Sequence, residues 1–420
     1  MKRPAILASA LLVLAACHGK SSVAPVNPTP PTPTPTVKLG DPLPDLTTEE
    51  LAAFERGKVM FTKRFTPSEG LGPFYNATSC ASCHSTPVVG GGADLYRNFY
   101  LAVLELGATP EFQSKFPTLP SPVMPAFGTP SSLSFTTTGR RFDMPQSYFG
   151  LPVTVAQRNS IPIFGTGLFE FVSNATILSH ADPDDADHDG ISGRTNSDGA
   201  GMGRFGVKAQ SNNVEFFTRA PLMNQMGITS NPFRGSAGTA SLAHGMAPQA
   251  SSTPNAPTTD NDGVPDPEIS AQDLGDLIAF SRFLAPPAPL AFDESATRGQ
   301  AKFEELGCAK CHIPELPSSR GPVRAYTDLL IHDMGSGLAD NITFGSPQAS
   351  ATSPNHTAFE FRTAPLWGVS HFPPYLHNGS ATTLDDAIRA HGGESQTIRD
   401  AYVALPTPTR EDILVFLRHL

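Results

Sequence analysis

Two five-residue motifs of the form C-x-x-C-H constrain this chain more than any other feature of its sequence. They read CASCH at residues 80–84 and CAKCH at residues 308–312. In this pattern the cysteines form thioether bonds to the vinyl groups of a haem, and the adjacent histidine becomes an axial ligand of the iron. A zinc ribbon would need further cysteine or histidine pairs close by, and the sequence has none. The residues predicted to hold two covalent haem c groups are Cys80, Cys83, His84, Cys308, Cys311 and His312.

The N-terminal region predicts export and lipid anchoring. Lys2 and Arg3 precede the apolar run AILASALLVLAAC, which is too short to span a bilayer and has the length of a signal peptide. Its end resembles the lipobox of bacterial lipoproteins, so residues 1–16 would be removed and Cys17 would carry the lipid. Ordinary secretion with a chance cysteine is the alternative. Because His18 and not an aspartate follows Cys17, the resemblance favours the outer membrane, with the protein facing the periplasm or the cell surface.

Residues 17–45 are predicted to form a lipidated cysteine and a tether. The stretch APVNPTPPTPTPT has proline at every second or third position, which fixes φ and removes amide donors. Such a segment is polyproline-like or irregular and does not pack. It would separate the folded part of the chain from the membrane.

The cysteine content and the net charge narrow the function further. Of five cysteines, four lie in the two motifs and the fifth is Cys17, so none is left for a structural disulfide in an exported protein. The formal net charge is −10, and removal of residues 1–16 would make it more negative, because two basic and no acidic residues are lost. This charge disfavours nucleic acid and suits a basic redox partner.

A degenerate repeat predicts two related domains. FERGKVMF (residues 54–61) precedes the first motif and ATRGQAKF (residues 296–303) precedes the second, and both contain R-G-x-x-x-F. Each half also closes with an amphipathic helical pattern that starts at a capping residue. The predicted fold is mainly α with long irregular loops, in two cytochrome c-like domains that each carry one covalent haem c. The domains cover residues 46–284, with insertions, and residues 291–420.

Local patterns refine this prediction. Helix caps are predicted at Thr47, Ser270 and Thr409, each followed by an acidic residue at the third position. Strand signals are few, and the short candidates are FYLAVLEL (residues 99–106) and FGTGLFEFV (residues 164–172).

Longer phrases resemble the bacterial di-haem cytochrome c peroxidases, and most closely the di-haem oxidoreductases described as peroxidases or thiol oxidoreductases. The phrases are GLGPFYNATSCASCH, RNSIPIFGTGLFE, DPDDADHDGISGRTN, GRFGVKAQ, NQMGIT, YTDLLIHDMGSGLAD and FRTAPLWGVSHFPPYLHNGSATTLDDAIRAHGGE. They run from about residue 48 to residue 394, and the match is looser over residues 208–222. The resemblance implies an enzyme in which the C-terminal haem passes electrons to a catalytic N-terminal haem. No cysteine is spare for thiol exchange.

The resemblance also implies a second ligand for the C-terminal haem. In the peroxidases that ligand lies fourteen residues after the histidine of a segment like PYLHNG, and counting from His377 leads to His391. TTLDDAIRAHGG reads as a short helix with Thr383 as its cap, on which His391 falls on the apolar side, with Gly392 beyond its end. A core histidine bonded to a carbonyl is the alternative reading. Met334 is the rival ligand, and otherwise packs in the haem pocket.

The first haem departs from the family pattern, because no histidine follows His84 until His180. Its iron is expected to be open or water-bound, with a tyrosine (Tyr96 or Tyr100), His180 or His244 as the alternatives. Cleavage of a peroxide O–O bond needs a base to move a proton, and Glu170, among apolar neighbours, is the candidate. Arg97 is the candidate for stabilising the departing oxygen. A surface glutamate and a propionate-bound arginine are the alternatives.

The segment DPDDADHDGISGRTN begins like a calcium-binding loop, with Asp185, Asp187, Asp189 and Gly190 in the spacing D-x-D-x-D-G. Its twelfth position is Asn196 and not glutamate, so calcium binding would be weak. The resemblance raises the expectation of calcium, and a solvated acidic turn is the alternative.

Three functions are compatible with these features. The first is a lipid-anchored, peroxidase-like di-haem oxidoreductase that takes electrons from a small redox protein and gives them to peroxide or another small oxidant. The second is an electron-transfer cytochrome without a substrate of its own. The third is a haem lipoprotein subunit of a surface assembly. We expect the first, and no nucleic-acid partner.

Overall fold

The computed structural model of the protein describes residues 37–73, 75–104, 123–124, 147–148, 151–199, 201–231, 262–351, 353 and 357–420. Residues Thr36–Leu420 form one compact unit. Cys17 and His244 lie outside the described residues, as does most of the predicted tether. Among the helices that are described, none has both the length and the apolar character that crossing a membrane requires.

The described chain is mainly helical with little sheet, as predicted. The α-helices are α1 (Thr48–Thr62), α2 (Asn174–Leu178), α3 (Val214–Met226), α4 (Ala271–Phe283), α5 (Glu294–Leu306), α6 (Leu384–Arg389), α7 (Gln396–Ala404) and α8 (Thr407–His419). Short 3-10 helices contain the first three residues of each C-x-x-C-H motif, Cys80–Ser82 and Cys308–Lys310.

The strands form two small antiparallel sheets. They are β1 (Phe99–Leu104), β2 (Val123–Met124), β3 (Ser147–Tyr148), β4 (Leu151–Arg158), β5 (Ile331–Asp333) and β6 (Glu360–Arg362). The first sheet has the order β2-β1-β4-β3, and the second pairs β5 with β6. In the first, Phe99 faces Arg158 and Leu101 faces Ala156. The segment that leads out of the first motif is thus paired with the strand that precedes residue 159.

Helix α1 packs against helix α4 through a glycine. Gly57 and Phe61 lie on the buried face of α1, and a Cβ at Gly57 would lie only 1.9 Å from the carbonyl oxygen of Asp276. A larger residue would therefore force the helices apart. The preceding Arg56 donates two hydrogen bonds of 2.8 Å to the carboxylate of the same Asp276. Phe61 packs on Phe280, with ring centroids 4.8 Å apart.

Helix α5 repeats this contact against helix α8. A Cβ at Gly299 would lie 1.9 Å from the carbonyl oxygen of Asp412, and Arg298 donates two hydrogen bonds of 2.9 Å to the Asp412 carboxylate. Phe303 packs on Phe416, at a centroid distance of 5.3 Å. The repeated R-G-x-x-x-F sequence therefore corresponds to one helix crossing built twice.

The largest apolar core draws on both halves of the sequence. It contains Phe164, Phe169 and Phe280 from the first half with Trp367 and Phe372 from the second. Trp367 stacks on Phe169 with ring planes 8° apart. A smaller core surrounds the crossing of α5 and α8. The predicted boundaries at residues 284 and 291 stay a prediction.

Buried ion pairs also join residues that are distant in sequence. Asp340 pairs with Arg158 and, at 3.1 Å, with Lys208. Glu360 pairs with Arg194 at 2.7 Å. Each of these side chains is at most 4% exposed. Because an unpaired buried charge is costly, these pairs fix the later part of the chain against the earlier part.

Most local predictions are confirmed and two are wrong. The caps at Thr47 and Ser270 are confirmed. The last helix starts at Thr407 and not after Thr409, because a proline is tolerated in the first turn of a helix. Residues 164–172 do not form a strand: Thr166–Phe171 is a 3-10 helix. A Cβ at Gly167 would lie 2.0 Å from the carbonyl oxygen of Arg282, so this helix packs closely against the end of α4.

The glycine crossing predicts a specific sensitivity to an added methyl group. Gly57→Ala or Gly299→Ala should lower the free energy of unfolding by about 2–3 kcal/mol, because the new Cβ overlaps a helix carbonyl. Gly337→Ala is the control, since no heavy atom lies within 4 Å of its added Cβ. Chemical unfolding would measure the difference, and equal stability of all three variants would contradict the packing described here.

Candidate functional site

His84 is held in one orientation by the backbone. Its Nδ1 lies 3.1 Å from the carbonyl oxygen of Gly91, and the ring packs on Phe61 with centroids 6.2 Å apart. A proton on Nδ1 donates to that carbonyl and leaves Nε2 unprotonated, which is the form that binds iron. Burial lowers the pKa of His84 and favours the same neutral form.

His312 has the same environment in the second half. Its Nδ1 lies 2.9 Å from the carbonyl oxygen of Tyr326, and its ring is 6.2 Å from that of Phe303. Burial lowers the pKa of His312 to about 4, and the positive potential of the nearby His391 adds to this effect. Both motif histidines are therefore favoured in the neutral form, with Nδ1 bonded to a backbone carbonyl.

The motif cysteines are unpaired thiols. Cys80, Cys83, Cys308 and Cys311 are not joined in disulfides. Burial raises the pKa of Cys80 and of Cys308 to about 12 in each case. Since thioethers form from the thiol and a haem vinyl group, these residues fit covalent attachment of haem.

Arg97 and Ser160 lie beside the first motif. Burial raises the pKa of Cys83, while the Arg97 cation and a hydrogen bond from Ser160 oppose that shift. Within the described residues, the Nε of Arg97 is buried without a hydrogen-bond partner. A buried donor of this kind fits an oxygen ligand such as a haem propionate or a bound oxidant. This orphaned nitrogen supports a haem at the first motif.

The PYLHNG loop of the C-terminal half reaches the same neighbourhood. Asn159 N–H donates to the His377 carbonyl at 2.9 Å, and the amide of Asn98 donates to the Asn378 carbonyl at 3.0 Å. Because Asn98 follows Arg97, this loop fixes the backbone beside the first motif.

His391 lies beyond α6, next to the second motif. Helix α6 starts after Thr383, as predicted, and ends at Arg389. The Nδ1 of His391 lies 2.8 Å from the carbonyl oxygen of Ala387. The core-histidine reading predicts this bond, but the bond also leaves Nε2 available for a metal. Burial lowers the pKa of His391.

The turn after His391 passes close to Met334. Gly392 lies beyond the end of α6, as predicted, and its backbone is extended, with a φ of −142°. A Cβ at Gly392 would lie 2.9 Å from the Met334 carbonyl oxygen. The rival ligands Met334 and His391 therefore sit on neighbouring segments, and the choice between them stays a prediction.

Glu170 is half-buried and already bonded. Its Oε2 pairs with Arg282 at 2.6 Å, and its Oε1 accepts the Val214 N–H at 2.8 Å. The carboxylate caps α3 and ties it to α4. A role as catalytic base stays a prediction, and would require one of these bonds to be exchanged for peroxide.

The alternative ligands of the first site are placed as follows. His180 is exposed, and Tyr96 is 60% exposed. Burial raises the pKa of Tyr100, which keeps it protonated. The open sixth position stays a prediction, as do the tyrosine and His180 alternatives.

The acidic loop is arranged differently from the predicted calcium set. One oxygen each from Asp182, Asp185 and Asp187 lie within 4.8 Å of one another. Asp189 instead pairs with Lys310, the third residue of the second motif, at 2.8 Å. Asp182 was missed because it precedes the D-x-D-x-D-G pattern. Calcium binding stays a prediction.

Sequence reasoning also missed the surroundings of His332. Both ring nitrogens are engaged, Nε2 with Asp328 at 2.8 Å and Nδ1 with Glu394 at 2.9 Å. The position of Glu394, three residues after His391 in HGGE, was the available signal. His332, Asp328 and Cys311 present one ligand atom each within 4.8 Å. A thioether at Cys311 would leave this cluster as a structural one.

Three comparisons with known proteins bear on these sites. Residues 138–420 match the family described as "Di-haem oxidoreductase, putative peroxidase". The cytochrome-c peroxidase IdrP2 of Pseudomonas sp. (strain SCT) is 26% identical over 148 residues, which are 30% of this chain and 39% of that protein. The chain thus spans about two fifths of the curated relative.

Two solved structures share lower overall similarity. One is a MauG-like protein associated with microbial copper homeostasis, with 16% identity, a TM-score of 0.38 and coverage of 90% of this chain and 92% of that one. The other is hydrazine synthase of Kuenenia stuttgartiensis, with 25% identity, a TM-score of 0.27 and coverage of 36% and 56%. At these TM-scores neither comparison supports a structural argument.

His377 predicts a loss of stability in acid. Its ring stacks on Phe361 at 4.2 Å, and burial, with the Arg158 and Lys208 cations, lowers its pKa to about 3 against the opposing charge of Asp340. The pKa of His377 in the folded state lies below the ordinary value. Its contribution to the free energy of unfolding is therefore fully present above about pH 6.5 and is lost as the pH drops from there towards 3.

The substitution His377→Phe keeps the stacked ring and removes the titration. Between pH 7 and pH 5 the unaltered protein should lose about 2 kcal/mol more than this variant, measured by urea unfolding. Replacement of the exposed His371 by Phe is the control and should follow the unaltered protein. The same acid loss in H377F would show that His377 is protonated without cost.

Proposed function

Because the chain belongs to the di-haem oxidoreductase family, we propose that it is a di-haem c enzyme that reduces hydrogen peroxide or a similar small oxidant. The observation that carries the proposal is the paired arrangement of His84 and His312. Each has Nδ1 bonded to a backbone carbonyl, and each packs on the phenylalanine of an R-G-x-x-x-F helix. One local structure built twice supports one haem in each half.

The residues of each motif would hold one haem covalently. Cys80 and Cys83 supply the thioethers of the first, and His84 its axial nitrogen. In the second, His312 and His391 would be the imidazoles that hold the haem. Two imidazole ligands would suit that haem to electron transfer, whereas the first motif, with His84 alone assigned, would leave its haem accessible to the oxidant.

When bound, the two haems would supply one-electron redox chemistry, and we propose the residues of the C-terminal site for receiving electrons and those of the N-terminal site for meeting peroxide. Reduction of one hydrogen peroxide consumes two electrons and two protons, breaks the O–O bond and releases two waters. The electrons would come from a small redox protein. The acidic net charge of −10 suits a basic donor.

Arg97 is the residue that we assign to the departing oxygen. Its buried Nε is the unsatisfied donor beside Cys83. A donor placed where negative charge develops stabilises the transition state, and its loss slows typical enzymes about 10²–10³-fold. Glu170 is the second candidate, as the base that moves the peroxide proton. Its bond to Arg282 at 2.6 Å would have to yield first.

The predicted lipid anchor places this chemistry in the bacterial cell envelope. Cys17 would hold the chain at a membrane, most readily the outer one, through the proline-rich tether of residues 17–45. Two or more acyl chains are enough for stable anchoring. The enzyme would then meet oxidants and redox proteins in the periplasm or at the cell surface.

A single-turnover reaction tests the proposal without the physiological donor. The protein is reduced fully, freed of reductant and mixed under anaerobic conditions with one equivalent of hydrogen peroxide. Two haems hold two electrons, so one equivalent should oxidise both within seconds. The absorption bands of the reduced haems report the reaction. A protein that stays reduced for many minutes would contradict the proposed function.

Variants locate the reaction within the protein. Arg97→Ala should slow oxidation about 10²-fold by removing the unsatisfied donor. Arg324→Ala is the control, since Arg324 forms an exposed ion pair with Glu315. Equal slowing of both variants would contradict the role of Arg97.

A further inference from the structure

A buried chain of polar contacts connects the second motif with the turn that follows His391. His332 lies on β5 and is 4% exposed. Its Nε2 contacts Asp328 and its Nδ1 contacts Glu394, at 2.8 and 2.9 Å. The same Nδ1 lies 3.7 Å from the Sγ of Cys311. The imidazole thus touches both a cysteine of the motif and the turn that carries the predicted second ligand.

Glu394 is the centre of this chain. Its Oε1 accepts hydrogen bonds from Ser192 Oγ at 2.8 Å and from Asp333 N–H at 3.1 Å. Its Oε2 accepts from Ser192 N–H at 3.0 Å and from His332 Nδ1 at 2.9 Å. Burial would raise the pKa of Glu394, but the His332 bond and the backbone donors lower it. One carboxylate therefore joins three segments that are far apart in sequence.

Close backbone packing fixes the position of this turn. A Cβ at Gly393 would lie 2.2 Å from the Asp333 carbonyl oxygen, and one at Gly335 would lie 2.7 Å from the Gly393 nitrogen. Gly335 and Gly393 both have positive φ values, of 73° and 55°. The segment IHDMG and the turn HGGE thus lie backbone to backbone, and Glu394 closes the contact on one side.

This contact also positions the segments that carry the two rival ligands, Met334 and His391. Glu394 holds the amide of Asp333, and the next amide, that of Met334, donates to the Phe359 carbonyl at 3.0 Å. The backbone that carries Met334 is thereby fixed, while the turn after His391 is fixed through Glu394 itself. Loss of the carboxylate would remove its bonds to Ser192, His332 and Asp333 and loosen the turn after His391, while the Met334 amide keeps its own partner.

We propose that Glu394, acting with His332, is a positioning residue that holds His391, in preference to Met334, as the second axial ligand of the C-terminal haem. This inference rests on the proposed function, because it takes the haem at residues 308–312 and its His391 ligand as given. Hydrogen bonds to a buried charge are strong, so their loss shifts the equilibrium between bound and released His391 by about tenfold or more.

The test uses the ferric holoprotein and the variants Glu394→Gln and His391→Ala. Glutamine keeps the size of the side chain and loses its charge. In E394Q the cyanide concentration that displaces the second ligand should fall about tenfold, and the EPR spectrum should show a smaller His–iron–His signal. A thioether-to-iron charge-transfer band in the near infrared would report capture by Met334. Ser192→Ala removes one donor and should give a smaller shift in the same direction.

Glu215→Gln is the matched control. Glu215, like Glu394, is buried and has a charged or polar partner. That partner is Arg219, at 2.6 Å. This variant should lose stability comparably and leave cyanide binding at the second haem unchanged. Equal cyanide affinity in E394Q and E215Q would overturn the positioning role. If H391A left the His–iron–His signal unchanged, His391 would not be the ligand. This outcome is separate from failure of the Glu394 role, because it is observed without the E394Q variant.

Discussion

The contact on which the rest of the structure depends is the crossing of two helices at a glycine. Gly57 and Gly299 each lie so close to a partner carbonyl that no Cβ fits. The arginine before each glycine binds the side chain of the same partner residue, Asp276 or Asp412. Four positions later the phenylalanine meets the motif histidine. A close helix contact therefore sets the place of each imidazole, and the short 3-10 helices of the motifs are built around it.

The two halves act together because buried groups connect them. Asp340 pairs with Arg158 and Lys208, and Trp367 stacks on Phe169. The PYLHNG loop of the second half fixes the backbone beside Arg97 of the first. In return, Ser192 of the first half bonds to Glu394 beside the second motif. Residues of each half therefore contact the surroundings of the other half's motif.

Features that depend on neighbouring residues could be predicted from the sequence, and features formed by residues distant in sequence could not. The Thr47 cap, the motif histidines and the repeated R-G-x-x-x-F follow from local rules. The apolar run at residues 164–172 was wrongly predicted as a strand; it contains a 3-10 helix whose Gly167 packs against the distant Arg282 carbonyl, a contact that no local pattern indicates. The partners of Glu394 come from residues 192 and 332–333, and no local pattern indicates them. The two C-x-x-C-H motifs could be predicted because the residues of each motif are adjacent in sequence.

The central claim is that the N-terminal iron is open and reactive while the C-terminal one is closed. The most direct measurement is an EPR spectrum of the half-reduced protein before and after one equivalent of hydrogen peroxide. The account predicts a high-spin ferric signal that disappears when peroxide is added. Low-spin signals alone, unchanged by peroxide, would contradict it and indicate an electron-transfer protein with two closed haems.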